Sequence, residues 1–292
     1  MKYSFHHGNT ERAEAQGILY LVATPIGNLE DITLRALRIL KEVDLVACED
    51  TRRTAKLLSH FGIRSRCESH HEHNEAQSTA RLLSVLHRGE SVALVSDAGT
   101  PAVSDPGRML VAACREAGIS VVPIPGASAA LLALVGSGLP ADNFLFAGFL
   151  PARSSQRRKR LAELAPLRST LILYEAPHRL IASLEDILDV LGPRRACLAR
   201  ELTKVHEEWI HGTVSSILET IRMRTKIMGE ITLVIDQGEP ARHPAAWPES
   251  VAHHLAQEML ATGAAKKEAL KSIARQRGIS RREAYRLLLE GQ

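Results

Sequence analysis

One loop of the chain combines residue types that bind polar ligands. Residues 92–95 form an apolar run that stops at residues 96–107, a segment rich in Gly, Pro, Ser, Thr and Asp, and a helical pattern follows. Gly99 lets the backbone approach a ligand closely or adopt positive φ, and Asp97 and Asp105 offer acceptors to hydroxyl or amino groups. The segment is either a ligand site at the carboxyl end of a strand or an ordinary strand-to-helix turn.

Other predicted strands end in loops of similar composition. No G-x-G-x-x-G or G-x-x-x-x-G-K-[ST] occurs, which argues against a Rossmann dinucleotide site and a P-loop, and the absence of G-x-S-x-G argues against an α/β-hydrolase. Acidic loops also disfavour a polyphosphate, whereas they suit a mostly uncharged pocket for a nucleoside-like cofactor. The loops are residues 24–27, 96–101, 125–128, 174–177 and 200–204.

The strand-end sequence Glu49-Asp50-Thr51-Arg52-Arg53 is a second candidate for chemistry. Its two carboxylates and two guanidiniums could position phosphates or a sugar hydroxyl. The alternative is a helix N-terminus, where acidic side chains interact favourably with the helix dipole.

Two further polar clusters have competing interpretations. Residues 70–73 (His-His-Glu-His) could ligate a metal. We favour a solvated or RNA-facing surface there and predict no metal. Residues 153–160 form a very basic predicted helix without interleaved aromatic residues, which is either a solvated helix face or a surface that follows phosphates.

The order of the predicted elements indicates the fold class. The 292 residues are enough for two domains, and strands alternate with helices of about 10–15 residues, which is typical of βαβ units. We predict an α/β protein with two α/β domains and a small helical C-terminal tail. The predicted parts are a flexible lead over 1–16, an N-terminal α/β domain over 17–125, a C-terminal α/β domain over 126–238 and a basic, helix-turn-helix-like tail over 249–292.

Composition limits the cellular setting. No apolar segment approaches the ~20 residues that a membrane span requires, and residues 1–16 lack the apolar core of a secretory signal. Four scattered cysteines show neither zinc nor disulfide spacing, which fits a reduced cytoplasm. We therefore expect a cytoplasmic protein without a membrane partner.

The tail carries a concentrated positive charge. Its lysines and arginines outnumber its glutamates, and Ser280 with Glu283 forms a predicted capping box. A solvated helical hairpin would explain the pattern, but we favour contact with nucleic acid because the positive excess is concentrated there.

Six motifs together resemble the ribosomal RNA small subunit methyltransferase I family, a branch of the tetrapyrrole methylase superfamily. The resemblance covers about residues 17–290. It implies two α/β domains with S-adenosylmethionine in the cleft between them, a homodimer, and 2′-O-methylation of a cytidine ribose in the decoding region of 16S rRNA. The motifs are ATPIGNL at 23–29, EDTR at 49–52, SDAGTP at 96–101, SDPG at 104–107, YEAPHR at 174–179 and RELTK at 200–204.

The resemblance also implies where the cofactor binds. We expect residues 97–99 to hold the methyl donor mainly through backbone groups. The seven residues implied for the cofactor are Pro25, Asp97, Ala98, Gly99, Ser128, Ala129 and Tyr174.

Methylation of a ribose hydroxyl needs a base or a cation that stabilises the alkoxide, because the hydroxyl pKa lies far above neutral. Four residues at predicted strand ends of the second domain are candidates: Glu175, His178, Glu201 and Lys204. Glu175 and Glu201 could instead pair with arginines, and Lys204 could hold a phosphate. The residues predicted to contact RNA, which we expect within the 30S subunit, are Arg52, Arg53, Arg179, Arg200, Lys266, Lys267, Arg281 and Arg282.

Two alternatives differ in class from this prediction. A small-molecule methylase acting on a macrocycle would not need such widespread positive charge. A non-catalytic RNA-binding protein would not need several unusual backbone loops converging on one cleft.

Overall fold

A computed structural model describes residues 17–238, 250–277 and 279–290. The predicted flexible lead over 1–16 and residues 249, 278, 291 and 292 of the predicted tail lie outside the described residues. The chain divides into two compact units after Gln237.

The first sheet consists of five short strands that all run parallel. Their order is β3-β2-β4-β1-β5, so the strands that precede the candidate loops at 24–27, 96–101 and 125–128 are neighbours at one side of the sheet. The carboxyl ends of parallel strands meet at one sheet edge, which brings their following loops together. The strands are β1 (Ile18–Val22), β2 (Leu45–Cys48), β3 (Cys67–Ser69), β4 (Val92–Val95) and β5 (Ser120–Ile124).

Helices cover both faces of this sheet. The helices α1 (Leu34–Glu42) and α2 (Thr51–His60) pack on one face, and α3 (Glu75–His87) and α4 (Arg108–Glu116) pack on the other. The central strands are therefore buried on both sides, which explains why they read as continuous apolar runs.

The second sheet is mixed. Its order is β6-β7-β10-β8-β9; only β6 and β7 pair in parallel, and the other neighbours are antiparallel. The strands are β6 (Phe144–Phe149), β7 (Thr170–Glu175), β8 (Arg195–Arg200), β9 (Glu208–Thr213) and β10 (Ile231–Ile235).

The helices of the second half also pack on opposite faces of their sheet. The helices α6 (Ser154–Leu164), α7 (Leu180–Leu191) and α8 (Val214–Arg222) share one core, and α5 (Ala129–Ser137) packs on the other face. The α5 core also includes Ile26 and Ala98 from loops of the first sheet. The predicted α/β class with two sheets and a helical tail is confirmed.

Sequence patterns missed two strands. The strand β3 has only three residues, too few to show a period. The strand β9, with sequence EWIHGT, is half-buried or exposed along its length and contains a glycine, so it shows no buried apolar run.

The basic cluster at 153–160 matches neither interpretation throughout. Arg157 is 3% exposed, and its guanidinium lies 2.7 Å from Asp186 Oδ2. Arg158 pairs with Asp186 and Asp189, and Arg160 pairs with Glu163. Arg157 is thus part of the packing between α6 and α7.

The second compact unit contains three helices around a small apolar core. They are α9 (Val251–Thr262), α10 (Lys266–Gln276) and α11 (Arg281–Glu290). One of the two hydrogen bonds of the predicted capping box is present, since the Glu283 amide donates to Ser280 Oγ at 3.2 Å. Among the described residues, no helix is long and apolar enough to cross a membrane.

Candidate active site

A cavity of about 350 Å³ lies where loops from both sheets of the first unit meet. Loops after β1, β4 and β5 form one side, and the ends of β6 and β7 with the start of β10 form the other. The lining residues are Ile26, Ala98, Gly99, Thr100, Val103, Ser104, Asp105, Ser128, Ala129, Phe149, Tyr174, Glu175, Ala176, Pro177, Leu202, Gly229, Glu230, Ile231 and Thr232.

Hydrogen bonds between the β1 and β4 loops hold the first wall. Gly99, at φ +83°, donates its amide to the Thr24 carbonyl at 3.0 Å and accepts from the Thr24 amide at 2.9 Å. The Ser96 hydroxyl donates to the Gly99 carbonyl at 2.9 Å. Both backbone groups of Gly99 are therefore engaged within the protein. The expectation that residues 97–99 hold a ligand mainly through backbone groups therefore stays a prediction, and it depends chiefly on residues 97 and 98.

The same loop continues through a turn of unusual backbone conformation. Ala102 (φ +65°) and Ser104 (φ +64°) adopt the left-handed region without being glycine, which costs about 1–3 kcal/mol each. Glu75 of α3 holds the far end, because its Oε1 accepts the amides of Gly107 at 2.9 Å and Met109 at 3.2 Å. This turn directs Asp105 towards the cavity.

The end of β7 supplies an aromatic wall and a buried ion pair. The Tyr174 ring makes edge contacts with Phe146 and Phe149, at centroid distances of 4.9 and 5.6 Å. Burial raises the pKa of Tyr174. The carboxylate of Glu175 pairs with Arg179 and accepts the Ala176 amide at 2.7 Å.

The third part of the site is a charged triad beside the start of β10. Lys204 Nζ lies 2.9 Å from Glu201 Oε1 and 3.0 Å from Glu230 Oε2. The two carboxylates outweigh partial burial and raise the pKa of Lys204, and the Lys204 ammonium lowers the pKa of Glu201. Lys204 is therefore a cation and Glu201 a carboxylate at neutral pH.

Most residues predicted to bind the cofactor line the cavity. Ala98, Gly99, Ser128, Ala129 and Tyr174 do so, whereas Pro25 and Asp97 are each one residue away from a lining position. The Asp97 carboxylate accepts the Asp50 amide at 3.1 Å and pairs with Arg53 at 3.3 Å.

The four predicted catalytic residues are not gathered at one point. Glu175 lines the cavity, and Glu201 and Lys204 adjoin it through Glu230. His178 is exposed, in the short helical turn Pro177–Arg179.

The predicted RNA-binding residues fall into two groups. In the first unit each arginine is ion-paired: Arg52 with Asp50, Arg53 with Asp97, Arg179 with Glu175 and Arg200 with Glu208. In the tail the four basic residues line one open depression together with Tyr285 and Leu289, both more than half exposed. These four residues are Lys266, Lys267, Arg281 and Arg282.

The histidine segment does not form a single solvated surface. His70 is 1% exposed, and its Nδ1 lies 2.6 Å from Ser78 Oγ. Burial lowers the pKa of His70. Within the described residues, no group of three or more His, Cys, Asp or Glu side chains could hold a metal ion.

Asp105 and Glu230 are the main residues that sequence reasoning omitted from its site. Asp105 was predicted only as a polar acceptor in its loop and was not among the residues predicted for the cofactor or for catalysis. Glu230 precedes β10, whereas the predicted site residues follow strands. Because β10 is antiparallel to β7 and β8, its start adjoins their ends, with Ile231 opposite both Glu175 and Arg200.

Similarity to known proteins agrees with this fold. The sequence profile of the Tetrapyrrole (Corrin/Porphyrin) Methylases matches residues 18–218. A uroporphyrin-III-C-methyltransferase from Thermus thermophilus superposes with a TM-score of 0.52 at 24% identity, over 76% of this chain and 92% of that structure. A diphthine synthase superposes with a TM-score of 0.59 at 16% identity, over 75% and 90%. The chain belongs to the tetrapyrrole methylase family.

Closer relatives are found within that family. A protein of Halalkalibacterium halodurans named ribosomal RNA small subunit methyltransferase I is 48% identical over 280 residues, 95% of this chain and 96% of the relative. Proteins of the same name from Escherichia coli O157:H7 and Bacillus subtilis are 47% and 43% identical, over 95% and 92% of this chain and 96% and 93% of the relatives. The predicted family is confirmed.

Proposed function

We propose that this protein transfers the methyl group of S-adenosylmethionine to the 2′-hydroxyl of a cytidine in the decoding region of 16S rRNA. Relatives with 43–48% identity over almost the whole chain carry the name ribosomal RNA small subunit methyltransferase I, which supports a small-subunit rRNA substrate. The observation that carries methyl transfer is the 350 Å³ cavity, because it is lined by five of the residues predicted for the cofactor.

The cavity fits this cofactor in size and chemistry. Its volume lies within the range of about 300–1,000 Å³ usual for ligand pockets. Tyr174 and Phe149 offer aromatic surface to an adenine. Ser128 is the N-cap of α5 and Ala129 is its first residue, and the first amides of this helix suit a carboxylate. When bound, the cofactor supplies an electrophilic methyl group on a cationic sulfonium. Asp97 and Pro25 support the loops around it.

Lys204 is our candidate for stabilising the acceptor alkoxide. Its ammonium remains protonated between Glu201 and Glu230, and Glu230 lines the cavity. A positioned cation can stabilise a developing oxyanion in a site that excludes water. The two glutamates hold the Lys204 side chain in place, and the pair Glu175–Arg179 shapes the neighbouring wall.

Single-turnover methylation separates this role from substrate binding. We expect Lys204→Met to slow methyl transfer by about 10²–10³-fold with cofactor and RNA affinity retained, the loss typical of removing one oxyanion-stabilising group. Lys204→Arg keeps the cation and should retain more activity. Transfer by Lys204→Met at the wild-type rate would rule out this role and direct attention to Glu175, Glu201 or His178.

The tail supports contact with 16S rRNA. Lys266, Lys267, Arg281 and Arg282 share one surface with the exposed aromatic ring of Tyr285, which suits phosphates and unpaired bases. We propose that the substrate is the assembled 30S subunit in the cytoplasm.

We also propose a homodimer. On α5, Leu131 and Val135 are 51% and 71% exposed although the helix is apolar overall, which supports burial against a second copy. Light scattering coupled to gel filtration tests this, with Val135→Glu expected to yield a monomer. A monomeric wild-type protein would contradict the dimer.

Methyl incorporation tests the whole proposal. Purified protein and radiolabelled S-adenosylmethionine are incubated with 30S subunits, naked 16S rRNA or a tetrapyrrole substrate. We expect label in 30S subunits at one cytidine, in a dinucleotide that resists alkaline hydrolysis because its 2′-oxygen is blocked. Label on a base, on another nucleotide or on the tetrapyrrole alone would overturn the proposal.

A further inference from the structure

Three carboxyl groups line the cavity, and they differ in their partners. Glu175 pairs with Arg179, and Glu230 pairs with Lys204. Asp105 forms no ion pair with any residue in the described part of the chain. Of these three carboxyl groups, Asp105 is therefore the one without a cationic side chain beside it.

The charged groups that face Asp105 come from several elements and make this position more unusual. Glu49 at the end of β2 and Asp97 after β4 both repel a negative charge on Asp105. Arg53 of α2 is directed to Asp97, at 3.3 Å. From the opposite wall Asp105 faces Tyr174, a neutral phenol that burial keeps protonated. A hydrogen bond with Ser96 stabilises the ionised form of Asp105, but burial and the two neighbouring carboxylates outweigh it. A negative Asp105 therefore has no cation to balance its charge while the cavity is empty.

We propose that Asp105 faces the sulfonium of the methyl donor and makes the cavity select the charged donor over its neutral thioether product. This inference rests on the proposed function. A cation in the cavity would compensate the carboxylate, because opposite charges attract strongly in a poorly solvated site. The thioether has lost that charge with the methyl group and leaves Asp105 uncompensated. Methyl transfer thereby weakens binding and favours exchange of product for donor.

The titration of Asp105 provides an independent signature. Burial, with repulsion from Glu49 and Asp97, raises the pKa of Asp105 to about 6. A bound cation favours the ionised form, so donor binding should strengthen as pH rises through 6 and should release a proton near that pH. Binding of the thioether should not strengthen in this way.

Isothermal titration calorimetry on the full chain tests the inference. S-adenosylmethionine and S-adenosylhomocysteine are titrated at pH 5.5, 7 and 8, in two buffers of different ionisation enthalpy. We expect Asp105→Asn to weaken donor binding at pH 8 by roughly 10- to 100-fold, because the variant loses a partly buried charge pair. Binding of the product should change by less than about threefold. Retained product binding also shows that the variant is folded.

Glu49→Gln serves as a matched control. It removes a neighbouring carboxylate that raises the pKa of Asp105 but does not line the cavity. The pH at which donor affinity rises should therefore move lower, and donor affinity at pH 8 should change little. Equal loss of donor and product binding in Asp105→Asn, or no change in either, would overturn the inference alone. Failure of the wild-type protein to bind either molecule would overturn the proposed function and the inference with it.

Discussion

Basic side chains have different surroundings in the first unit and in the tail. In the first unit Arg53, Arg157, Arg179 and Arg200 each meet a carboxylate, and Arg157 is almost completely buried with Asp186. In the tail Lys266, Lys267, Arg281 and Arg282 line an open depression, and none of the four forms an ion pair within the described residues. The sequence shows the same residue types in both places.

The difference teaches that basic composition alone does not identify an RNA surface. A guanidinium removed from water needs a carboxylate and good hydrogen bonds, and such an arginine contributes to packing. A lysine or arginine that stays in water retains its charge for phosphates. We therefore expect removal of the first kind to affect stability and removal of the second kind to affect RNA affinity.

The largest expected effect concerns the buried pair. Arg157→Ala leaves Asp186 buried without its closest cation, which should lower the free energy of unfolding by about 3–5 kcal/mol. Chemical denaturation measures the change. A loss below about 1 kcal/mol would show that Arg158 alone compensates Asp186.

The second effect concerns the tail surface. Replacing Lys266, Lys267, Arg281 and Arg282 with Gln should weaken binding to a 16S rRNA fragment by about 10- to 100-fold at physiological salt. It should also reduce the slope of log affinity against log salt by about 3, if all four contact phosphates. Fluorescence anisotropy at several salt concentrations measures both, and the free energy of unfolding should change little.

A matched set of four exposed arginines from the first unit controls for net charge. Each already pairs with a glutamate, so their replacement by Gln should change the salt slope by less than about 1. An equal loss of RNA affinity in both sets would contradict the comparison. The control arginines are Arg38, Arg81, Arg88 and Arg222.

The third effect extends the comparison to a carboxylate without a cation. The pKa of Asp105 is about 6 in the folded protein against 3.8 ordinarily, so its protonated form is the one that favours folding. That contribution is complete below pH 3.8 and is lost as pH rises through 6. Asp105→Asn should therefore stabilise the protein at pH 7.5 by about 1–2 kcal/mol, allowing for partial exposure, and by less at pH 4.5. Denaturation at both pH values measures this, and a destabilised variant at pH 7.5 would contradict it.

The smallest effect concerns an exposed pair in the same helix as Arg157. Arg160 and Glu163 are both about half exposed, so Arg160→Ala should change the free energy of unfolding by no more than about 0.5 kcal/mol. The same denaturation experiment compares it with Arg157→Ala. Similar losses in the two variants would show that burial does not separate them.

Much of the site could be predicted because its loops follow recognisable strands. The motifs around Ala98, Ser128 and Tyr174 lie after apolar runs, and all three residues line the cavity. The β10 contribution could not be found in this way, since Glu230 lies before its strand and only antiparallel pairing brings it to the same edge. The burial of Arg157 against Asp186 could not be predicted either, because helical periodicity does not reveal which neighbouring helix supplies a carboxylate.

The sequence by itself determined the α/β class, the family and the positions of most loops around the cavity. These depend on local patterns, since strand period, glycine positions and capping residues act over a few neighbouring residues. The tertiary structure decided the partners of the charged groups: Gly99 bonds to Thr24, Arg179 pairs with Glu175, and Asp105 faces Glu49 and Asp97. The energy of a charge depends on burial and on groups distant in sequence, and only the folded chain brings those groups together.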